Sequence, residues 1–106
     1  GWCEVTDMLF KNNAKIGARY FDAPLGILKP GAAADVIVMD YKCFTPFSDA
    51  NIDGHMIFGM TGRQCETTMC NGKLLMKDRQ LIGIDEEAMN ARTMEASKKL
   101  WSRLNG

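Results

Sequence analysis

The dipeptide Asn71-Gly72 constrains this chain more than any other feature. It lies between two strand-like runs, Arg63–Cys70 and Lys73–Lys77. A type I′ turn needs positive φ at both central residues, and Asn followed by Gly meets that need with least strain. A two-residue loop then sets the register: Cys70 opposite Lys73, Met69 opposite Leu74, Thr67 opposite Met76. Cys65, Thr67, Met69, Leu74 and Met76 share one face, the expected core face. Asp78-Arg79 predicts a second turn leading into Gln80–Ile84. Ala34–Tyr41 (ADVIVMDY) is a nearly continuous apolar run with a β-branched centre, which predicts a strand buried on both faces.

Helical spacing frames this strand region. Trp2, Val5, Met8 and Leu9 repeat at helical intervals, with Glu4 and Asp7 on the opposite face, which predicts a helix over 2–11. Asn12-Asn13 is expected to interrupt it, and Asn13 to cap a short second helix over 14–21. Pro24, Gly26, Pro30 and Gly31 punctuate the chain as turns. Residues 42–62 read as loop, with a short apolar piece at Met56–Met60. The last helix is expected over 86–104 with Asp85 as N-cap. Met89, Thr93, Ala96, Leu100 and Leu104 form its stripe, widened by Ser97 and Trp101. Acidic residues open this helix and Lys98, Lys99 and Arg103 close it, as the helix dipole favours. Glu95 and Lys99 are spaced to pair.

Composition narrows the function classes. Thirteen basic and thirteen acidic residues leave no net charge, so no overall field draws nucleic acid or an anionic membrane. No apolar run approaches the ~20 residues of a membrane span. At 11.8 kDa the chain is one domain at most. A (β/α)8 barrel needs about 250 residues and does not fit. The chain opens on Gly1-Trp2-Cys3, shows no signal peptide, and reads as a piece of something larger. Eight methionines and four thiols expected to be free suit a reducing cytoplasm.

Few residues offer chemistry. His55 is the single histidine, so no catalytic His dyad or multi-histidine metal site forms within this chain. In a Gly-flanked loop it reads as a surface or hydrogen-bonding residue. Cys65 and Cys70 fall on opposite faces of a strand and match no zinc spacing. With Cys3 and Cys43 they read as small core residues. Leu25–Gly31 holds two glycines but neither a P-loop nor a dinucleotide fingerprint. Asp35 and Asp40 point to opposite faces, and Asp35 reads as a strand-start residue bonding nearby backbone amides. Met56, Met60, Met69 and Met76 read as core filler. No catalytic, cofactor-binding or metal residue is assigned.

The stretch Leu25–Tyr41, LGILKPGAAADVIVMDY, closely resembles the "lG-x-l-x-pG-x-x-ADlvvld" signature near the C-terminus of the amidohydrolase superfamily. Phe10–Gly17 (FKNNAKIG) resembles the segment just upstream, "aT-x-n-g-A-x-x-lG", with its usual Thr and Gly replaced. His55–Gly59 (HMIFG) resembles "hlvyg", Met69–Asp78 (MCNGKLLMKD) resembles "v-x-VnGk-lv-x-dg", and Asp85–Arg103 resembles the closing helix ending "lw-x-r". The order is kept along essentially the whole chain. The likeness is strongest to the chlorohydrolase and guanine, cytosine and adenosine deaminase branch.

The resemblance implies an α+β fragment: the C-terminal half of a composite β-sandwich with flanking helices. The parent would be a (β/α)8 barrel plus a small β-sandwich. Residues 1–24 would be the last helical segment of the barrel, 25–84 the sandwich strands with the Asn71-Gly72 hairpin, and 85–106 the closing helix. The implied activity is hydrolysis of a carbon–nitrogen, non-peptide bond, or a carbon–chlorine bond, in a small heterocyclic substrate. A divalent metal, zinc or iron, is implied for the parent. The family's H-x-H pair, later histidines and aspartate are absent here, and His55 matches no metal-ligand position. The chain alone is expected to be structural and inactive. Its expected partner is the missing N-terminal part of the same protein; open sheet edges would otherwise favour a homodimer or strand-swapped oligomer. The alternative is a free-standing oligomerisation or binding module on the same half-sandwich. A small redox or metal protein using the four cysteines is the weakest reading.

Overall fold

A computed structural model describes residues 1–106. The architecture is α+β: helices at both ends and a short helical segment in the middle flank a four-stranded antiparallel sheet. Helices α1 (Trp2–Asp7) and α2 (Asn13–Gly17) are joined by one wide turn, Met8–Asn12, in which the Asn13 amide donates to the Met8 carbonyl. This corrects the expected break at Asn12-Asn13. Both residues hold right-handed helical angles, φ −74° and −61°, so the helix widens there without stopping, and Asn13 is not an N-cap. The Lys11–Asp7 ion pair, 2.6 Å, spans the junction. Helix α2 ends at Gly17, short of the expected residue 21.

The strands are β1 (Val36–Met39), β2 (Cys65–Cys70), β3 (Lys73–Lys77) and β4 (Gln80–Leu81), hydrogen-bonded in that order. The β2–β3 turn is type I′ as expected, with φ +48° at Asn71 and +78° at Gly72. Cys70 pairs with Lys73 and Met69 with Leu74, but Met76 faces Thr68 and not Thr67. Leu75 is the extra residue of a bulge, which a uniform register cannot anticipate. Inward Leu74 and Met76 still alternate with outward Lys73, Leu75 and Lys77. Asp78 and Arg79 form a second turn with positive φ, +49° and +64°. The strand after it is only two residues long.

β1 is not buried on both faces. It is an edge strand with β2 as its single neighbour, and Ile37 is 60% exposed. Its apolar run is patterned for cover that these residues do not supply. The expected loop 42–62 is also partly helical: α3 (Ile52–Gly54) runs into a wide turn, His55–Gly59, closed by the Met60 amide on the His55 carbonyl at 2.9 Å. Helix α4 (Glu86–Asn105) begins where expected, with the Asp85 carboxylate accepting from the Ala88 amide at 2.9 Å. Lys99 and Glu95 pair at 2.9 Å. No residue of α4 is buried; its stripe, Met89, Leu100 and Leu104 included, faces solvent.

No apolar side chain anywhere in the chain is buried. The radius of gyration is 19.0 Å, where a compact chain of this length has about 13 Å. The accessible surface is 8821 Å², where a folded monomer of this mass exposes about 5,900 Å². No helix is long and apolar enough to cross a membrane.

Candidate functional site

The one buried residue is His55, 3% exposed. It opens the wide turn that follows α3, and the loop after β1 folds back over it. Its Nδ1 lies 2.5 Å from the Tyr41 hydroxyl and its Nε2 2.9 Å from the Thr45 hydroxyl. The rings of Tyr41, Phe44 and Phe47 stand around the imidazole at centroid distances of 5.6, 5.0 and 5.2 Å. Both ring nitrogens are thus satisfied inside an aromatic sleeve, as a buried polar ring must be. Burial, and then the neighbouring Cys43, push the Tyr41 phenol above its usual value, so it stays protonated as a hydrogen-bonding group.

The loop that carries the sleeve is itself tied down. Asn51 accepts from the Ser48 amide at 2.9 Å and donates to the Pro46 carbonyl at 2.7 Å. Gly59 allows the closure, since a Cβ there would run into the Tyr41 ring. Trp2 of α1 meets Phe58 edge-on at 5.5 Å, and Trp2, Phe44, Asn51, His55 and Phe58 border a hollow of about 280 Å³. His55 is therefore a hydrogen-bonding residue, as expected, but not a surface one. The sequence signal for its sleeve is the spacing of Tyr41, Phe44 and Phe47 ahead of the only histidine.

The remaining candidates are placed apart. Asp35 accepts from the Asn71 amide at 2.7 Å, a backbone amide as expected, though one 36 residues away along the chain. Asp40 pairs with Arg79 at 3.0 Å on the surface. Cys3, Cys43 and Cys70 are exposed and Cys65 is half-buried, which corrects the expectation of core thiols: no core exists here to take them. Met56, Met60, Met69 and Met76 are half-buried. Met56 and Met60 line an apolar groove of about 370 Å³ with Leu9, Phe10, Ile37 and Met39. Leu25 and Asp35 border a third hollow, of about 360 Å³, beside the hairpin tip.

The metal that the resemblance implies for a whole enzyme does not fit these residues. His55 spends both nitrogens on hydroxyls within the chain, and no three His, Cys, Asp or Glu side chains converge. A metal centre needs at least three such donors.

Comparison with known proteins gives the class. Over 91 residues, 84% of this chain, it is 34% identical to a 5'-deoxyadenosine deaminase of Methanosarcina barkeri. It is 30% identical over 82% of its length to a 5-methylthioadenosine/S-adenosylhomocysteine deaminase of Halobacterium salinarum. A deaminase of the same name from Pelotomaculum thermopropionicum is 29% identical over 74% of the chain. Over the matched stretch the chain belongs to the amidohydrolase superfamily. Within it, these relatives are deaminases. The chain spans about a fifth of their length, 21%, 20% and 18% respectively. No family model and no solved structure matches it.

Proposed function

We propose that this chain is the C-terminal segment of a metal-dependent amidohydrolase that hydrolyses an exocyclic carbon–nitrogen bond of an adenosine derivative. In this reading residues 1–24 end the barrel, 25–84 are the C-terminal strands of a composite β-sandwich, and 85–106 are the closing helix. The observation that carries it is the match to deaminases along 84% of the chain at only 21% of the relative's length. The exposed faces of β1 and α4 support it, because both are patterned for burial. The segment's part is structural: it supplies surface against which the rest of the enzyme packs. In this reading the metal and the catalytic side chains lie outside this chain, whose own metal donors do not converge.

The test is made on the natural gene product. Its intact mass is measured with an antibody to this region, and ammonia release is followed from 5'-deoxyadenosine and 5-methylthioadenosine with and without a chelator. A product several hundred residues long that releases ammonia and loses activity to the chelator is the expected result. A product near the 11.8 kDa of this chain would overturn the reading. A long product inert toward both nucleosides would overturn the substrate class.

A further inference from the structure

The hairpin tip carries chemistry of its own. Asn-Gly is the sequence in which a side-chain amide is most readily lost without an enzyme, because glycine offers the attacking nitrogen no steric protection. The Gly72 backbone nitrogen gives up its proton and attacks Cγ of Asn71. A carbon–nitrogen bond forms, the bond from Cγ to the side-chain nitrogen breaks, and ammonia leaves with the proton. Water then opens the resulting cyclic imide at either carbonyl. The net change is one water consumed and one ammonia released, leaving an aspartyl or isoaspartyl residue.

Asn71 and Gly72 are both exposed, and the space beside Gly72 is open. Crowding therefore does not protect them. Two hydrogen bonds to the residues just before β1 do. The Gly72 amide, the nucleophile, donates to the Ala34 carbonyl at 3.0 Å. The Asn71 amide donates to the Asp35 carboxylate at 2.7 Å. A nitrogen whose proton is held by a carbonyl is a poor nucleophile, and a turn held at both amides cannot swing to bring that nitrogen onto Cγ.

We propose that Asn71 is a latent site of spontaneous amide loss, held closed by the latch from Ala34 and Asp35. Modification then tracks opening of the latch rather than exposure. The product reinforces the opening. Conversion puts a negative charge on the residue whose backbone amide already holds the Asp35 carboxylate, and nearby like charges repel. The isoaspartyl form also adds a backbone carbon to a two-residue turn that tolerates no insertion. Conversion would therefore release β1 from the hairpin tip.

The test is to incubate the natural gene product, which contains this chain, at mildly alkaline pH and follow the peptide containing Asn71 by mass and by isoaspartate detection. A synthetic peptide spanning Met69–Leu74 sets the unlatched rate. The folded chain is expected to convert at least tenfold more slowly than the peptide. Asp35→Ala removes the charged acceptor and is expected to speed conversion about tenfold, the factor that about 1.4 kcal/mol of opening represents. Asp35→Asn keeps an acceptor oxygen in place and should stay near the slow rate, which separates the hydrogen bond from the charge. Hydrogen exchange of the β2–β3 ladder checks that each variant keeps the hairpin. If the Asp35→Ala chain loses that ladder, the comparison of folded chain with peptide, together with Asp35→Asn, still decides. Conversion of the folded chain at the peptide rate would overturn the proposal, and so would an Asp35→Ala chain with an intact ladder and an unchanged rate.

Discussion

Replacing Tyr41 by Phe tests whether the sleeve around His55 holds the middle of the chain. The change keeps the ring and leaves no cavity. It removes only the hydroxyl 2.5 Å from Nδ1. Because His55 is 3% exposed, that nitrogen is left with no partner. An unsatisfied buried polar group costs about 1–3 kcal/mol. Thr45→Val keeps the side-chain shape, removes the other partner of the same buried ring, and should cost a similar amount. The readout is hydrogen exchange at the Met60 amide, which closes the wide turn on the His55 carbonyl. A cost of that size speeds local opening by roughly 5- to 150-fold. The paired change Tyr41→Phe with His55→Leu removes both polar groups and should recover part of the loss, since an apolar pair has nothing left unsatisfied. If Tyr41→Phe changes exchange by less than about twofold, within ordinary surface scatter, the sleeve contributes no more than a surface contact.

Three further outcomes follow from the same geometry. Gly59→Ala should destabilise the turn by about 1–3 kcal/mol of overpacking, because its Cβ would sit 2.8 Å from Tyr41 Cζ; a gain in exchange protection, as helix propensity alone would give, refutes the clash. The Tyr41 phenol lies above its ordinary value of 10.0, so its contribution is full below that pH and is lost as pH rises through the folded value. Alkaline titration followed by tyrosinate absorbance and exchange should show this loss in the parent chain and not in Tyr41→Phe; identical profiles would refute it. The isolated chain should self-associate through β1 and α4, whereas a sharply melting monomer in sedimentation and calorimetry would show that these faces need no cover.

What was legible in the sequence was whatever a few neighbouring residues decide among themselves. The Asn71-Gly72 turn, the Asp78-Arg79 turn, the Asp85 cap and the Glu95–Lys99 pair each depend on residues within four positions of one another. What escaped depends on distant neighbours. Leu75 bulges within the pairing of β3 with β2, which periodicity does not specify. Asn12 and Asn13 have poor helix propensity but continue the helix, so their preference for turns is overridden by its continuation on both sides. The sleeve joins Tyr41 to His55 across fourteen residues, and reading 42–62 as loop hid both the helix at 52–54 and the imidazole behind it. The aspartates show the same division: a strand-start role for Asp35 could be read locally, but its partner at Asn71 could not.

The surface decides what kind of cover the apolar faces require. The chain exposes 8821 Å², about 2,900 Å² more than a compact monomer of its mass. A standard protein–protein interface takes about 800 Å² from each partner, and even obligate ones take roughly 1,000–2,500 Å². One docking partner of ordinary size would leave most of the excess uncovered. The exposed residues are also of the wrong kind for a transient contact: Ile37 and Val38 lie in an unbroken apolar strand, and Met89, Leu100, Trp101 and Leu104 follow one helical stripe. Such runs are the inner faces of domains, where both sides of a strand and a whole helix stripe are packed. The two hairpin turns, the Asp85 cap and the strand ladder are all formed here, and the shared core is missing. That combination fits a segment whose elements form by their own chemistry and whose packing is completed by the much longer chain that its deaminase relatives possess.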